Sequence, residues 1–386
     1  MSKSAFRLEV RHLDPMLVGA SVGLAVIGAV MVASASISLA DRDVGEPFFY
    51  LYRHLGALGL GLLGVLVAVT VPTDVWFRLH WLALLICVAV LALVLMPSFG
   101  DTVNGSTRWL TLGPIGFQAS EPARLCLLVY LASYAVRHYR DLESSFMGFM
   151  KPMLIVAGVC MLLLAEPDYG ATVVVTATCL GVLFMAGARL RDFSLIALAA
   201  TAVLASLALT TPYRLERLTA FLKPWDDPFD SGFQLTQSLI AIGRGQWWGV
   251  GLGESVQKLF YLPEAHTDFV FAVLAEELGF AGSTMVIVLF CLLIYRAMQM
   301  GQAALKAGMP FQGLLSTGIG LMLGIEAMIN MGVNTGLLPT KGLALPLMSY
   351  GRSSTVVTLV ALGLLMRIYY ELRVVEQQPL KKGRRR

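Results

Sequence analysis

The sequence predicts an all-α integral membrane protein with ten transmembrane helices and a large extracytoplasmic loop between the seventh helix and the eighth. Of its 386 residues, 57% are hydrophobic and 14% are charged, and the mean hydropathy is +0.72. Soluble globular domains carry about 25% charged residues. This composition therefore excludes a soluble enzyme, a disordered protein and a nucleic-acid-binding protein.

Windows with few or no charged residues indicate the number of helices. A helix needs about 20 residues to cross the hydrocarbon core, and other backbone conformations leave polar groups unpaired in lipid. The sequence contains ten such windows, which predicts ten spans. They are residues 15–40, 55–73, 79–97, 121–137, 152–168, 169–188, 193–213, 267–298, 309–335 and 350–372.

The distribution of lysine and arginine predicts the orientation. With both termini in the cytoplasm, more basic residues fall in the inner segments than in the short outer loops, as the positive-inside rule requires. This orientation gives a cytoplasmic segment 1–14, a membrane domain 15–372 and a basic cytoplasmic tail 373–386, which attracts anionic lipid head groups. The longest outer loop, residues 214–266, is rich in aromatic residues and is predicted to be structured at the membrane interface.

The common cofactor motifs are missing from the sequence. It contains no P-loop, no glycine pattern of the kind that binds a dinucleotide between a strand and a helix, and no H-E-x-x-H zinc motif. All five cysteines lie in apolar runs and are interpreted as buried hydrophobic residues. We therefore expect no ATP, NAD or zinc site. A divalent cation, Mg²⁺ or Mn²⁺, stays open, although no cluster of ligands indicates one.

The segment Tyr261–Phe269, with the sequence YLPEAHTDF, contains the strongest candidate for chemistry. Thr267 is predicted to cap the eighth transmembrane helix, and Asp268 to lie in its first turn at the outer boundary of the membrane. Asp268 has two interpretations. It is either an ordinary acid that stabilises a helix N-terminus, or a carboxylate that accepts a proton from a sugar hydroxyl as a general base.

Arg108, Glu121 and Arg124 form a second candidate group. Glu121 and Arg124 are three residues apart at the start of a predicted helix, so they lie on one face and are able to pair. One interpretation is a local ion pair that lowers the cost of placing both charges at the membrane interface. The other is that Arg108 and Arg124 bind phosphate oxygens, for which the planar guanidinium group is suited.

Acidic residues within the apolar windows form a third group. Glu276, Glu277 and Glu326 are functional-site candidates, because charged groups are costly inside a membrane. Glu276 and Glu277 alternatively lie where the eighth span bends near Gly279. The residues four and eight positions after Glu326 are asparagines on the same helix face. This polar stripe indicates either hydrogen bonds between helices or the lining of a path.

Four segments resemble motifs of the SEDS family of bacterial cell-envelope proteins (shape, elongation, division and sporulation). The resemblance extends from about residue 15 to residue 372. The stretch NTGLLPTKG makes it closer to the division members of the family than to the elongation members. The four segments are Tyr261–Phe269 (YLPEAHTDF), Phe233–Ile242 (FQLTQSLIAI), Gly332–Lys341 (GVNTGLLPTK) and Pro346–Ser354 (PLMSYGRSS).

The resemblance implies a ten-span inner-membrane peptidoglycan glycosyltransferase that acts at the division septum. Such a protein polymerises lipid II, an undecaprenyl-pyrophosphate-linked disaccharide peptide, outside the cytoplasm. It works with a class B penicillin-binding protein and other divisome membrane proteins. The family motif H-T-D-F assigns the residue required for polymerisation to Asp268. The motif Q-P-S-E-x-x-K assigns a functionally important acid to Glu121 and its lysine to Arg124.

The sequence departs from the family motifs at several positions. Ala119 replaces a proline, Arg124 replaces a lysine, and Arg352 replaces the second glycine of S-Y-G-G-S-S. Glu166 stands where the family often has glutamine, in the turn that also contains Asp168. A lysine-specific role at position 124 therefore stays open, since arginine and lysine are not interchangeable.

The resemblance and the residue chemistry lead to one hypothesis for catalysis. Asp268 takes the proton of the acceptor hydroxyl, and Arg108, Arg124 or Lys341 stabilises the departing pyrophosphate. Two alternatives stay open, namely a lipid II transporter whose intramembrane acids line a path and a non-catalytic scaffold of the division machinery. The expected substrate-binding residues are Arg108, Glu121, Arg124, Asp168 and Lys341.

Overall fold

The computed structural model describes residues 13–103, 106–112 and 115–377. Residues 1–12 of the predicted N-terminal segment and residues 378–386 of the predicted tail lie outside the described residues. Within the described part, each of the ten apolar windows coincides with one helix. These ten helices are α1 (Pro15–Val44), α2 (Phe49–Thr70), α4 (His80–Val94), α5 (Ser120–Arg137), α7 (Phe146–Ala165), α8 (Tyr169–Met185), α9 (Leu190–Thr210), α12 (Val270–Lys306), α13 (Pro310–Asn334) and α14 (Arg352–Gln377).

Four shorter helices complete the described helical part. Two of them connect neighbouring long helices, and two lie in the loop 214–266 or at its start. They are α3 (Thr73–Arg78), α6 (Tyr139–Ser144), α10 (Pro212–Leu222) and α11 (Phe233–Gly245). One face of α11 is buried against the bundle, so this loop is structured.

Seven of the described helices are long and apolar enough to cross a membrane. They are α1, α2, α7, α9, α12, α13 and α14. Helices α4 and α8 are apolar but have 15 and 17 residues, and α5 carries Glu121 and Arg124 among its 18 residues. The chain is thus a multi-pass membrane protein, and the count of ten spans stays a prediction.

Helix α13 lies at the centre of the bundle and packs against α5, α8, α12 and α14. Most of its side chains are buried. Its glycines allow close approach, since a Cβ atom on Gly318 would lie 2.4 Å from Leu128 Cδ1 of α5 and 2.9 Å from Val182 Cγ2 of α8. Small residues at such crossings let membrane helices pack closely. Polar side chains on α13 are therefore held inside the bundle.

The prediction of an all-α protein is wrong for the connection between α4 and α5. This segment forms a three-stranded antiparallel sheet of β1 (Gly100–Val103), β2 (Ser106–Leu112) and β3 (Ile115–Gln118), in the order β1-β2-β3. The middle strand, STRWLTL, is rich in residues that favour strands. Apolar windows report only membrane helices, so they gave no sign of this sheet, which carries Arg108.

Helix α12 bends at Gly279, as the sequence predicted for this region. Gly279 has φ 65° and ψ −162°, and the loop after α11 fills the break in the helix. The amides of Val250 and Gly251 donate to the carbonyl oxygens of Glu276 and Glu277, at 3.0 and 3.1 Å. The amides of residues 280 and 281 donate back to the carbonyl oxygens of residues 246 and 247. Irregular backbone inside a bundle is tolerated where the protein itself satisfies it.

We expect Gly279→Ala to destabilise the protein strongly. An added Cβ atom would lie 2.3 Å from the backbone nitrogen of Gly249, and the φ and ψ angles suit glycine almost alone, so the cost is about 1 to 3 kcal/mol before the clash is counted. Gly243→Ala is the control, because a Cβ atom there meets nothing within 4 Å. Thermal unfolding in detergent measures both variants. Equal melting temperatures for the two would contradict the assigned bend.

Candidate active site

Asp268 lies in a tight turn immediately before α12. The amides of Thr267 and Phe269 donate to the carbonyl oxygen of Glu264, at 3.1 and 3.2 Å. The Thr267 hydroxyl donates to the Glu264 carboxylate at 2.7 Å, and Glu264 has a left-handed φ of 57°. The expectation that Thr267 caps the helix and that Asp268 lies in its first turn is therefore wrong. The helix begins at Val270, because Thr267 bonds back to Glu264 instead of forward to the helix amides.

Two asparagines of α13 hold the backbone of Asp268. The side-chain amides of Asn330 and Asn334 donate to the Asp268 carbonyl oxygen, at 2.8 and 3.0 Å. Asn330 also donates to the Leu343 carbonyl oxygen at 2.6 Å, and the Asn334 side-chain oxygen accepts from the amide of Ala272 at 3.0 Å. The polar stripe on α13 thus forms hydrogen bonds to neighbouring segments, as one of its two interpretations predicted.

The surroundings of Asp268 favour a carboxyl group that changes protonation near neutral pH. Burial raises the pKa of Asp268 from 3.8 to about 7, and the negative charge of Glu264 adds to the increase. The positive charges of Arg217 and Arg108 oppose it. General bases work best when their pKa lies near the working pH. The helix-stabilising interpretation does not account for this environment, because Asp268 is outside the helix.

The segment around Lys341 lies directly against the Asp268 carboxylate. A Cβ atom on Gly342 would lie 2.6 Å from Asp268 Oδ2, so the missing side chain lets this oxygen approach the backbone closely. The Lys341 ammonium lies 3.8 Å from the centroid of the Tyr169 ring. Arg217 of α10 donates to the Thr340 carbonyl oxygen at 3.3 Å. The segment 340–342 therefore contacts both the Asp268 carboxylate and Arg217.

Arg217 and Gly342 were not identified from the sequence. Arg217 lies on a short helix at the start of the long loop, where no spacing relates it to Asp268. Gly342 directly follows Lys341, which ends the motif-like segment Gly332–Lys341. That proximity to Lys341 is the sequence signal that could have found Gly342. The interaction of these two residues with Asp268 depends on tertiary packing across more than 50 residues of chain.

Arg108 is hydrogen-bonded to the buried acidic turn that contains Glu166 and Asp168. Its guanidinium group donates to the carbonyl oxygen of Pro167. Glu166 is fully buried, and neither of its carboxylate oxygens has a hydrogen-bond partner among the described residues. Burial raises the pKa of Glu166 to about 8, the charge of Asp168 adds to this, and Arg108 opposes it. Arg108 therefore acts electrostatically on the carboxyl groups of both Glu166 and Asp268.

Asp168 caps α8 with its side chain. One carboxylate oxygen accepts from the amide of Ala171 at 3.1 Å, and the other accepts from the side-chain amide of Gln118 at 3.3 Å. Gln118 ends strand β3, and its backbone amide donates to the hydroxyl of Ser353 at 2.8 Å. Asp168 thus joins α8 to the sheet that carries Arg108. Its predicted contact with substrate stays a prediction.

Arg124 is buried between two carboxylates. It pairs with Glu121 on its own helix and with Glu326 of α13, where Arg124 Nη1 and Glu326 Oε1 are 2.5 Å apart. The side chain of Arg124 is 5% exposed. The local ion pair predicted from the spacing is present, and Glu326 extends it across two helices. Substrate binding by Glu121 and Arg124 stays a prediction, since the guanidinium group faces the bundle.

Glu276 and Glu277 hold the long loop against the bundle. The Glu276 carboxylate accepts from Arg244 Nη1 at 2.9 Å and from Ser255 Oγ at 2.5 Å. The Glu277 carboxylate accepts from Ser34 Oγ at 2.6 Å and from Lys258 Nζ at 2.8 Å. Both acids therefore have structural partners at the bend of α12. In the part of the chain that the structure describes, no group of three or more His, Cys, Asp or Glu residues could hold a metal ion.

These features define a multi-pass membrane protein with a partly buried carboxylate, flanked by cations, at one end of its helix bundle. Residues 15–374 match the family model FtsW/RodA/SpoVE, described as cell cycle proteins. The chain belongs to this family. The resemblance drawn from the sequence motifs is thereby confirmed.

Individual relatives resemble nearly the whole chain. A protein of Thioalkalivibrio sulfidiphilus, described as a probable peptidoglycan glycosyltransferase FtsW, is 53% identical over 98% of this chain and 95% of its own length. A protein of Hahella chejuensis with the same description is 50% identical over 96% of this chain and 93% of its own length.

Solved structures share the fold. One is a chain from a study of the structural coordination of polymerization and crosslinking by a peptidoglycan synthase complex. It matches with a TM-score of 0.74 and 31% identity, over 93% of this chain and 98% of that chain. The crystal structure of the rod shape determining protein RodA of Thermus thermophilus matches with a TM-score of 0.68 and 29% identity, over 92% of this chain and 96% of that chain.

The buried ion group predicts a specific loss of stability. Arg124→Met should cost about 3 to 5 kcal/mol, because it leaves two buried carboxylates without their cation. Arg78→Met is the control, since Arg78 pairs with Asp74 on the exposed surface, where such pairs contribute about 0 to 1 kcal/mol. Thermal unfolding in detergent compares the two. An Arg124→Met protein as stable as the control variant would show that the guanidinium group is not held in this way.

Proposed function

We propose that this protein polymerises lipid II at the outer face of the bacterial inner membrane, with Asp268 as the general base. The observation that carries the proposal is the position of Asp268 at one end of the bundle. Its pKa is raised to about 7, the positive charges of Arg217 and Arg108 act on it, and the segment that carries Lys341 lies against its carboxylate. Transfer from a diphosphate-linked sugar needs both a base and stabilisation of the leaving group.

The similarity of the chain to its relatives shows that it is a peptidoglycan glycosyltransferase. Relatives at 50% and 53% identity over almost the full length carry this description, and the family model matches 360 residues, from 15 to 374. The substrate implied by that activity is a lipid-linked disaccharide peptide. The absence of a P-loop from the sequence agrees with it, because a sugar diphosphate carries its own leaving group.

The reaction assigns distinct tasks to the residues around Asp268. The acceptor hydroxyl oxygen forms a bond to the anomeric carbon of the donor sugar while the bond from that carbon to the diphosphate breaks. Asp268 receives the hydroxyl proton. Arg108, Lys341 and Arg217 stabilise the charge that develops on the diphosphate. Gly342 lets the Asp268 carboxylate pack against the segment that carries Lys341. A divalent cation, Mg²⁺ or Mn²⁺, would share the stabilisation of the diphosphate.

The arrangement in the membrane completes the proposal. Ten spans with both termini in the cytoplasm place the Asp268 end of the bundle, the sheet and the long loop on the outer side. The expected location is the division septum, and the expected partners are a class B penicillin-binding protein and other divisome proteins. Similarity to a chain of a peptidoglycan synthase complex that joins polymerization with crosslinking supports a partner of this kind.

The transporter and the scaffold, the two alternative functions, explain fewer of the observed contacts than the polymerase does. A transporter needs acids that are free to line a path, whereas Glu276, Glu277 and Glu326 are each paired with a cation. A scaffold needs no carboxyl group whose pKa is raised to about 7 within the influence of two arginines. A polymerase uses the carboxyl group as its base and the nearby cations to stabilise the leaving diphosphate.

We expect Asp268→Asn to abolish polymerisation while leaving the protein folded. Asparagine keeps the size of the side chain and the backbone carbonyl bonds to α13, but it accepts no proton from a hydroxyl group. Purified protein in detergent, with its penicillin-binding partner and labelled lipid II, measures the rate. Asp226→Asn is the control, because Asp226 pairs with Lys223 on the exposed loop surface and should retain full activity.

Each outcome of this assay selects one function. Polymer formed in detergent by the unmodified protein excludes a pure transporter, since no membrane is present to be crossed. Loss of polymer in Asp268→Asn alone supports the general base. Normal polymer from Asp268→Asn would remove the catalytic assignment. Normal complementation of a deletion strain by Asp268→Asn would favour the scaffold.

The charges around Asp268 predict two opposite shifts of the pH profile. Asp268 must be ionised to accept a proton, so the rate falls as the pH drops through its pKa. Glu264→Gln removes a charge that raises this pKa and should move the acidic limb to lower pH. Arg217→Gln removes a charge that lowers the pKa and should move the limb to higher pH. Initial rates at lipid II concentrations well below KM give kcat/KM, whose acidic limb reports the pKa of Asp268 in the free enzyme. Shifts in the same direction would contradict the assignment.

A further inference from the structure

A mostly apolar groove of about 600 Å³ lies between the C-terminal half of α1, the start of α2 and residues 252–259 of the long loop. Ala29, Ala33 and Ile37 line it from α1, and their spacing of four residues places them on one helix face. From Ala29 to Ser38 the helix rises by about 14 Å. The groove therefore extends along a large part of one membrane leaflet. Its volume is within the range of about 300 to 1,000 Å³ that is typical of ligand sites.

The groove adjoins the segment that carries Asp268. Leu51 of α2 lines the groove, and the preceding residue, Tyr50, packs against His266 with ring centroids 4.9 Å apart. On the loop side the lining reaches Leu259, nine residues before Asp268. A substrate whose reacting group lies at Asp268 therefore has this groove within reach.

The charged groups in the groove wall are already paired. The Lys258 ammonium donates to Glu277 Oε1 at 2.8 Å, to Ser34 Oγ at 2.9 Å and to the carbonyl oxygen of Gly253 at 2.7 Å. A phosphate group that bound Lys258 would leave the Glu277 carboxylate buried without its cation. An unpaired buried charge destabilises the protein strongly. The groove therefore suits a hydrocarbon chain and not a charged head group.

The wall of the groove is held in place before any ligand arrives. Ser255 and the amides of Val256 and Gln257 donate to the Glu276 carboxylate. On the opposite side, Val30 and Ile37 of α1 are exposed, so the groove opens on the surface that faces lipid. A chain can enter sideways from the bilayer, and little conformational entropy is lost in shaping the site.

We propose that this groove binds the polyprenyl chain of the lipid-linked substrate and so positions its diphosphate near Arg108, Arg217 and Lys341. The inference rests on the proposed function, because it concerns the lipid part of the same substrate. The chain lies against α1 and the loop segment 252–259, while the sugar reaches the turn that contains Asp268.

Photo-crosslinking tests the groove without catalysis. The probe is a polyprenyl diphosphate with a diazirine on its chain, added to purified Asp268→Asn protein in nanodiscs of phosphatidylglycerol and phosphatidylethanolamine. We expect crosslinks on residues 252–259, competed by unlabelled polyprenyl diphosphate. Ala33→Phe, which fills the groove, should lower their yield at least fivefold. Val26→Phe is the control, because Val26 is an exposed residue of the same helix outside the groove.

A kinetic measurement distinguishes a binding site for the polyprenyl chain from a general loss of folded protein. Ala33→Phe should raise the KM for long-chain lipid II at least fivefold more than the KM for a short-chain analogue. An equal change for both substrates would overturn the proposal. Crosslinks unaffected by unlabelled polyprenyl diphosphate would also overturn it, since the groove then holds only bilayer lipid. If Asp268→Asn still polymerises lipid II, the proposed general base fails, whereas the crosslinking result on the groove stands.

Discussion

The backbone carbonyl oxygen of Asp268 accepts two hydrogen bonds from asparagines of α13, and the candidate site depends on this contact. Asn330 also binds the carbonyl oxygen of Leu343. A single side chain therefore joins the two irregular segments that carry Asp268 and Lys341. Without these bonds, the carbonyl groups would be buried without partners, at a cost of about 1 to 3 kcal/mol each. The polar stripe of α13 thus positions the site and stabilises it by the same contacts.

The bend of α12 follows the same physical rule at a second place. The carbonyl groups left unpaired by the break at Gly279 accept from amides of the long loop, and the two glutamates before the break bind the side chains of that loop. Irregular backbone is possible at membrane depth only where the protein satisfies it. The bend of α12 and the turn before α12 therefore both lie where another part of the chain is docked against them, and these contacts hold the Asp268 turn in place.

The sequence predicted the helices better than it predicted the site. The apolar windows follow directly from the need of a spanning segment to satisfy its own backbone, so each one coincides with a helix. The sheet that carries Arg108 lies outside these windows, where hydropathy carries no information about strands. Motif spacing identified Asp268 and Lys341. It did not reveal that Arg124 pairs with Glu326, 202 residues away, or that the charge of Arg217 acts on Asp268, because both interactions arise from tertiary packing.

In the proposed mechanism, the effect of the cations on Asp268 changes when the diphosphate-linked donor binds. In the free protein, Arg217 and Arg108 lower the pKa of Asp268 and so oppose burial and Glu264. A diphosphate bound to these cations neutralises them and brings further negative charge near the carboxylate, and both changes raise the pKa of Asp268. Asp268 therefore becomes a stronger base when the donor is in place. In the free protein, with a pKa of about 7, Asp268 is ionised in about half of the molecules at neutral pH, and the same cations keep this ionised fraction from being smaller.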